Sequence, residues 1–151
     1  MSERFTWSDR YLLGYGPMDD THKEFVSCVD ELLNVPDAEL AAALERFTDH
    51  ARRHFDEELE LMQGTAFPAT DCHADEHAKV MESVAEVKEL LARGNTAIVR
   101  ALAAELVRWF PGHADYMDAA LAQWVVRKKA GGVPVVLRRK DNMDFEGVAA
   151  R

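Results

Sequence analysis

Between His54 and His77 the chain reads HFDEELELMQGTAFPATDCHADEH, with His54 four residues before Glu58 and His73 four before His77. Residues four apart on an α-helix lie one turn apart and only about 40° out of line, so each pair aims two side chains at one point. A Gly-Thr-Ala-Phe-Pro-Ala-Thr break separates the pairs and places them on two antiparallel helices that face each other. His22 upstream, with His113 and Asp118 downstream, completes a set of seven ligand-type side chains.

Apolar periodicity shows where these residues sit. A first helix is expected to start near Asp19 to Thr21 and to end around Asn34 and Pro36, with the stripe Met18, His22, Phe25, Val29, Leu32. A second is expected from Asp37 to a glycine cap at Gly64, with the stripe Leu40, Leu44, Phe47, Ala51, His54, Glu58, Leu61. The third opens at Thr70 or Asp71 and closes at Arg93-Gly94, with His73, His77, Val80, Val84, Val87 and Leu91 inward. A fourth runs from Asn95 to about Lys129, where Gly131-Gly132 ends it. Its stripe Val99, Leu102, Leu106, Trp109, His113 resumes at Asp118, Leu121, Val125 after a step of five. Residues five apart on a straight helix diverge by roughly 140°, so a widened or kinked turn is expected there, with Pro111 one turn earlier perturbing the same region.

All seven ligand-type groups therefore occupy interior positions. An unpaired buried histidine or carboxylate costs several kcal/mol, so seven of them need a shared compensation. A hydrogen-bonded polar network would serve for one histidine. For five histidines and two carboxylates a metal site is the better reading, since imidazole and carboxylate suit iron, manganese and zinc. Seven ligands exceed what one first-row ion accepts, which implies two ions bridged by the carboxylates. The remaining histidine, His50, lines up with Arg46, Arg53 and Glu57 beside the stripe and reads as a flanking residue rather than a ligand.

The rest of the chain narrows the class. No uninterrupted apolar run in the 151 residues approaches membrane-spanning length, and a net charge of −9 opposes nucleic acid and anionic membrane surfaces. The start shows no secretory pattern and Cys28 and Cys72 read as free thiols, so a cytoplasmic protein is expected. Residues 1–17 suit an irregular arm packed across a bundle. Residues 131–151 form a C-terminal tail whose Val133 to Leu137 segment either docks on the bundle or on a partner protein, or stays loose.

The order His22, His54 with Glu58, His73 with His77, His113 with Asp118 resembles the hemerythrins, specifically the single-domain bacteriohemerythrins. The similarity spans about residues 5–128 and includes the F-x-W near the start, the HFDEE and LM of helix two, the Phe67-Pro68 turn and the H-A-D-E-H of helix three. What the resemblance implies is an all-α, up-down-up-down four-helix bundle over residues 1–130, with an N-terminal arm and a C-terminal extension. It further implies two iron ions with an oxo or hydroxo bridge. By that analogy His73, His77 and His113 bind one iron, His22 and His54 the other, and Glu58 and Asp118 bridge them. The second iron keeps an open position for O₂, which binds reversibly. Small anions are the other expected ligands, and the protein is expected to be a monomer and not an enzyme. A di-iron enzyme acting on peroxide or nitric oxide, and iron buffering, are the alternatives. One departure concerns the pocket wall: where family members carry a large aliphatic residue after the helix-four histidine, this chain has Pro111-Gly112-His113-Ala114, which implies a roomier pocket.

Overall fold

The computed structural model describes residues 4–129, which form an all-α four-helix bundle with no strand among them. The chain runs through α1 (Gly16–Asn34), α2 (Leu40–Gly64), α3 (Thr70–Ala92), α4 (Thr96–His113), a π-helical turn (Ala114–Asp118) and α5 (Ala119–Lys129). α4, the π turn and α5 follow without a break and form the fourth rod. α1 packs on α2 and α4, and α3 on the same two, which closes the ring. The expected glycine stop at Gly131-Gly132 and the tail lie outside the described residues.

Local chemistry sets the helix ends. α1 starts three residues earlier than the expected Asp19, because Pro17 sits inside the first turn, where its missing N–H costs nothing. Val35, held extended before Pro36, ends it. A 3-10 turn over Asp37–Glu39 precedes α2. At the far end of α2 the left-handed residue is Ala66, at φ 56°, rather than the expected Gly64. Phe67 N–H then bonds Met62 O at 2.8 Å, and both side chains pack in the same apolar cluster. Gly94, at φ 92°, closes α3 in the same manner, and the next residue, Asn95, caps α4 by accepting from Ile98 N–H.

The core falls into two apolar clusters with the seven-residue set between them. One holds Phe25, Phe47, Val84, Leu106 and Phe110; the other holds Met18, Met62, Phe67, Leu121 and Val125. Along α1 His22 falls between Met18 and Phe25, and along α2 Glu58 falls between Phe55 and Met62. The second helix differs slightly from expectation: its inward steps run 54, 58, 62, so Met62 is fully buried and Leu61 only half so. The arm crosses the bundle as expected. Asp19, buried in the first turn of α1, accepts from Leu13 N–H at 2.7 Å and Gly14 N–H at 3.0 Å, and Phe5 and Tyr11 set their rings edge-on against Phe110. Among the described residues no helix is long and apolar enough to cross a membrane.

Candidate metal centre

The step of five that separates His113 from Asp118 is absorbed by the π turn, where Ala119 N–H bonds Ala114 O, five residues back. That wider turn brings both side chains inward, at 6% and 1% exposure. Pro111 is accommodated within α4, which continues through it to His113. Seven polar side chains thus arrive in one layer from four rods: His22, His54, Glu58, His73, His77, His113 and Asp118, all buried.

The two carboxylates divide the histidines between them. Glu58 Oε1 lies 3.2 Å from His73 Nε2 and 3.3 Å from His77 Nε2, while its Oε2 lies 2.9 Å from His54 Nε2 and 3.4 Å from His22 Nε2. Asp118 repeats the pattern, with Oδ1 at 3.0 Å from His73 and 3.2 Å from His113, and Oδ2 at 3.2 Å from His22. One oxygen of each carboxylate faces the His73, His77, His113 group and the other faces His22. Donor atoms of Glu58, His73, His77, His113 and Asp118 lie within 4.8 Å of one another, as do those of His22, His54 and Glu58.

These residues fit cations better than they fit each other. His77 Nε2 and His113 Nε2 stand 3.1 Å apart, and two imidazole lone pairs that close repel unless a proton or a metal lies between them. Both ring nitrogens of His22 and His73, and both oxygens of Asp118, are buried without an aligned hydrogen bond. Their protonation reflects that crowding. Burial works against a charged His22, yet Asp118 and Glu58 overcome it and hold its pKa up at about 10. His73 is raised in the same way to about 9, while burial, with His113 and His73 alongside, pushes His77 down to about 3. Burial disfavours the ionised carboxylates, but the surrounding imidazoles hold both Glu58 and Asp118 well below the ordinary range.

Aromatic rings wall the layer. Phe55 stacks on His77 at 3.9 Å and 8°, Trp109 stacks on His113 at 4.3 Å and 21°, and Phe110 and Phe25 stand edge-on to His22 and His54. Ala114 is buried in the same apolar cluster as Phe25 and Phe110. Of these four rings only Phe25 and Trp109 fall on the apolar stripes read from the sequence, and only the fold shows which ring covers which histidine. A cleft of about 590 Å³ between α1 and α2 reaches Glu58 and His54, with Asp20, Glu57 and Glu60 among its acidic lining residues. His50, expected to flank the ligands, is buried behind His54, with Nε2 at 3.2 Å from His54 Nδ1 and Nδ1 at 2.6 Å from Glu24. Burial and the neighbouring His54 push His50 down to about 4, whereas His50 and Arg53 hold the Glu24 carboxyl below its usual range. Glu76 takes the corresponding place near His113, accepting from Trp109 Nε1 at 3.1 Å.

Residues 13–125 match the family model described as the Hemerythrin HHE cation binding domain. A bacteriohemerythrin of Ralstonia nicotianae is 33% identical over 122 residues, which cover 81% of this chain and 89% of the relative. No solved structure gives a significant match. The match spans all four rods and the whole polar layer, and the chain belongs to the hemerythrin family.

Proposed function

We propose that the polar layer holds two iron ions and that the protein binds O₂ reversibly, as a carrier, store or sensor rather than as an enzyme. The observation that supports this most directly is the division of each carboxylate between two histidine groups, the arrangement a bridged pair of cations requires. His73, His77 and His113 would hold one ion and His22 and His54 the other, with the carboxylates of Glu58 and Asp118 shared between the two groups. The iron pair supplies the electrons with which dioxygen is bound and released.

The chain's own part is to orient and to exclude water. Each helix delivers its side chains from a fixed turn, and the rings of Phe25, Phe55, Trp109 and Phe110 cover the imidazoles they contact, which limits the approach of water and anions from those sides. A catalytic reading requires a proton donor at the open ion. Two carboxylates beside the layer, Glu24 and Glu76, are instead engaged with His50, Arg53 and Trp109, while Glu57 and Glu60 line the cleft that reaches His54 and Glu58. The decisive experiment is the absorption spectrum of the reduced, iron-loaded protein. Bands that appear on exposure to air and vanish on removal of oxygen support the carrier; irreversible change with consumption of peroxide overturns it.

Loading the site is expected to expel protons. Near pH 7 the metal-free protein carries protons on His22 and His73, whose pKa values stand at about 10 and about 9, and both must leave before their nitrogens can bind metal. A pH indicator in weak buffer should register about two protons from these residues per pair of divalent ions, in addition to any released by water that becomes a hydroxide bridge, and the histidine share should fall away as the pH passes 9 and then 10. No release at pH 7 would contradict the assignment. The same shifts set the stability of the metal-free fold. The raised histidines stabilise it below their unfolded value of 6.5 and lose that effect as pH rises through 9 to 10. The depressed carboxylates stabilise it above their ordinary values of 4.5 and 3.8 and lose that effect as pH falls below them. The small Ala114 also has a consequence: if it leaves room beside His113 where the resemblance expects a large aliphatic side chain, Ala114→Ile should slow autoxidation in air, and an unchanged rate would show that this position does not control access.

A further inference from the structure

Behind His54 lies a line of groups that the metal centre does not use directly. His50 sits one turn before His54 on α2 and is 2% exposed, and Glu24 reaches it from α1. The ring of His50 bridges the two, with Nδ1 at 2.6 Å from Glu24 Oε1 and Nε2 at 3.2 Å from His54 Nδ1. Arg53 donates to the same Glu24 oxygen and holds the carboxylate in place.

Once His54 Nε2 turns its lone pair to a cation, the protons along this line have a single arrangement. A neutral His54 then carries its proton on Nδ1 and donates it to His50 Nε2. His50, having accepted there, carries its own proton on Nδ1 and donates it to Glu24. A His50 ring flipped to the other tautomer would set two donors face to face at His54 and leave Glu24 without a donor from the ring.

We infer that Glu24 and His50 form a relay of positioning residues that fixes the tautomer of His54 and strengthens the electron donation of its Nε2 to the metal. An imidazole whose N–H is drawn toward an anion is a better donor, so iron held by His54 shifts toward its ferric state. The tautomer half of the inference applies to any cation in the site, and the ferric half rests on the di-iron reading above.

The test uses Glu24→Gln, a change at a half-exposed position that keeps the side chain's size and removes its charge. Glu57→Gln is the control, because Glu57 lines the cleft that reaches His54 and carries an equal charge. In protein loaded with zinc alone, nitrogen-15 spectra of the rings should show His50 and His54 both protonated at Nδ1, with the His50 preference weakened by Glu24→Gln. In iron-loaded protein, Glu24→Gln should move the ferric-to-ferrous balance roughly tenfold toward ferrous, the same order as the loss of metal affinity when a partner behind a ligand is removed. Glu57→Gln should shift it much less. A zinc-loaded His50 protonated at Nε2 overturns the relay, as do equal shifts in the two variants, which would mean that charge acts through space. The expected zinc-loaded tautomers in a protein whose iron form ignores oxygen would support the relay and reject only the oxygen-binding reading.

Discussion

A Glu58→Gln protein is expected to lose its iron pair and, when metal-free at neutral pH, to unfold on the order of 10 °C below the parent. Glu58 is 3% exposed and approaches four histidines from three helices, His22, His54, His73 and His77. Gln matches its size, so the change isolates charge and ligation. With metal present, the proposed ligand set loses one of its two anions, and an amide stands where the carboxylate would join the two ions. The loss should exceed the roughly 10–100-fold that removing a partner behind a ligand costs. Iron content should fall from two per chain to one or fewer, and the oxygen-dependent bands should vanish. Without metal, the same change strips protonated His22 and His73 of a buried counter-charge, and breaking such pairs costs roughly 3–5 kcal/mol. At about 2–4 °C per kcal/mol for a chain of 151 residues, that gives the stated drop. The pH dependence checks the cause. Above pH 10, where His22 and His73 are neutral in the parent, the buried carboxylate has little positive charge to pair with, and the difference in melting temperature should shrink. Two irons and parental bands in the variant would show that Glu58 is not a bridge.

The layer to which Glu58 belongs was legible in the sequence because its pattern is local to each helix. His54 with Glu58 and His73 with His77 are each one turn apart, and each replaces an apolar residue in an otherwise regular stripe. The step from His113 to Asp118 was legible for the opposite reason: no straight helix satisfies it, so the irregularity itself foretold a wider turn. What periodicity does not carry is contact between distant segments. Asp19 and Asp20 are neighbours of the same type, and only the return of the arm over α1 makes the first a buried acceptor for Leu13 and Gly14. His50 could be set beside the ligands from its spacing to His54, but its bond to Glu24 spans 26 residues and two helices. The exchange of Met62 for Leu61 shows a smaller failure. After Glu58 the inward face advances by four rather than three, and both residues are apolar, so composition offered no way to choose between them.

The π turn invites the sharpest test of register, because deletion and insertion at one exposed position should have opposite outcomes. Tyr116 lies in the middle of the turn and is 82% exposed, so its side chain makes little contribution to packing. Removing it leaves three residues between His113 and Asp118 and sets the two at a spacing of four. On an ordinary α-helix four residues turn through about 400°, which sets the two side chains about 40° apart and keeps both inward. Leu121 and Val125 keep their spacing to Asp118, so the lower apolar cluster is preserved. The deletion should therefore fold, bind metal and lose only the five-residue hydrogen bond from Ala119 to Ala114. Inserting an alanine after Tyr116 adds about 100° to a turn that already absorbs one residue. Asp118 leaves the layer, and Leu121, Ala122 and Val125, all fully buried, rotate toward solvent. Exposing the two larger side chains alone costs about 1.5–3 kcal/mol each, so the insertion should forfeit the metal and much of the stability of α5. Iron content and thermal melting of the two proteins decide the matter. A deletion as damaging as the insertion would mean that the wide turn serves the ligands through its own backbone geometry; a harmless deletion would mean that the fold accommodates one extra residue, and that the direction of Asp118 is what it protects.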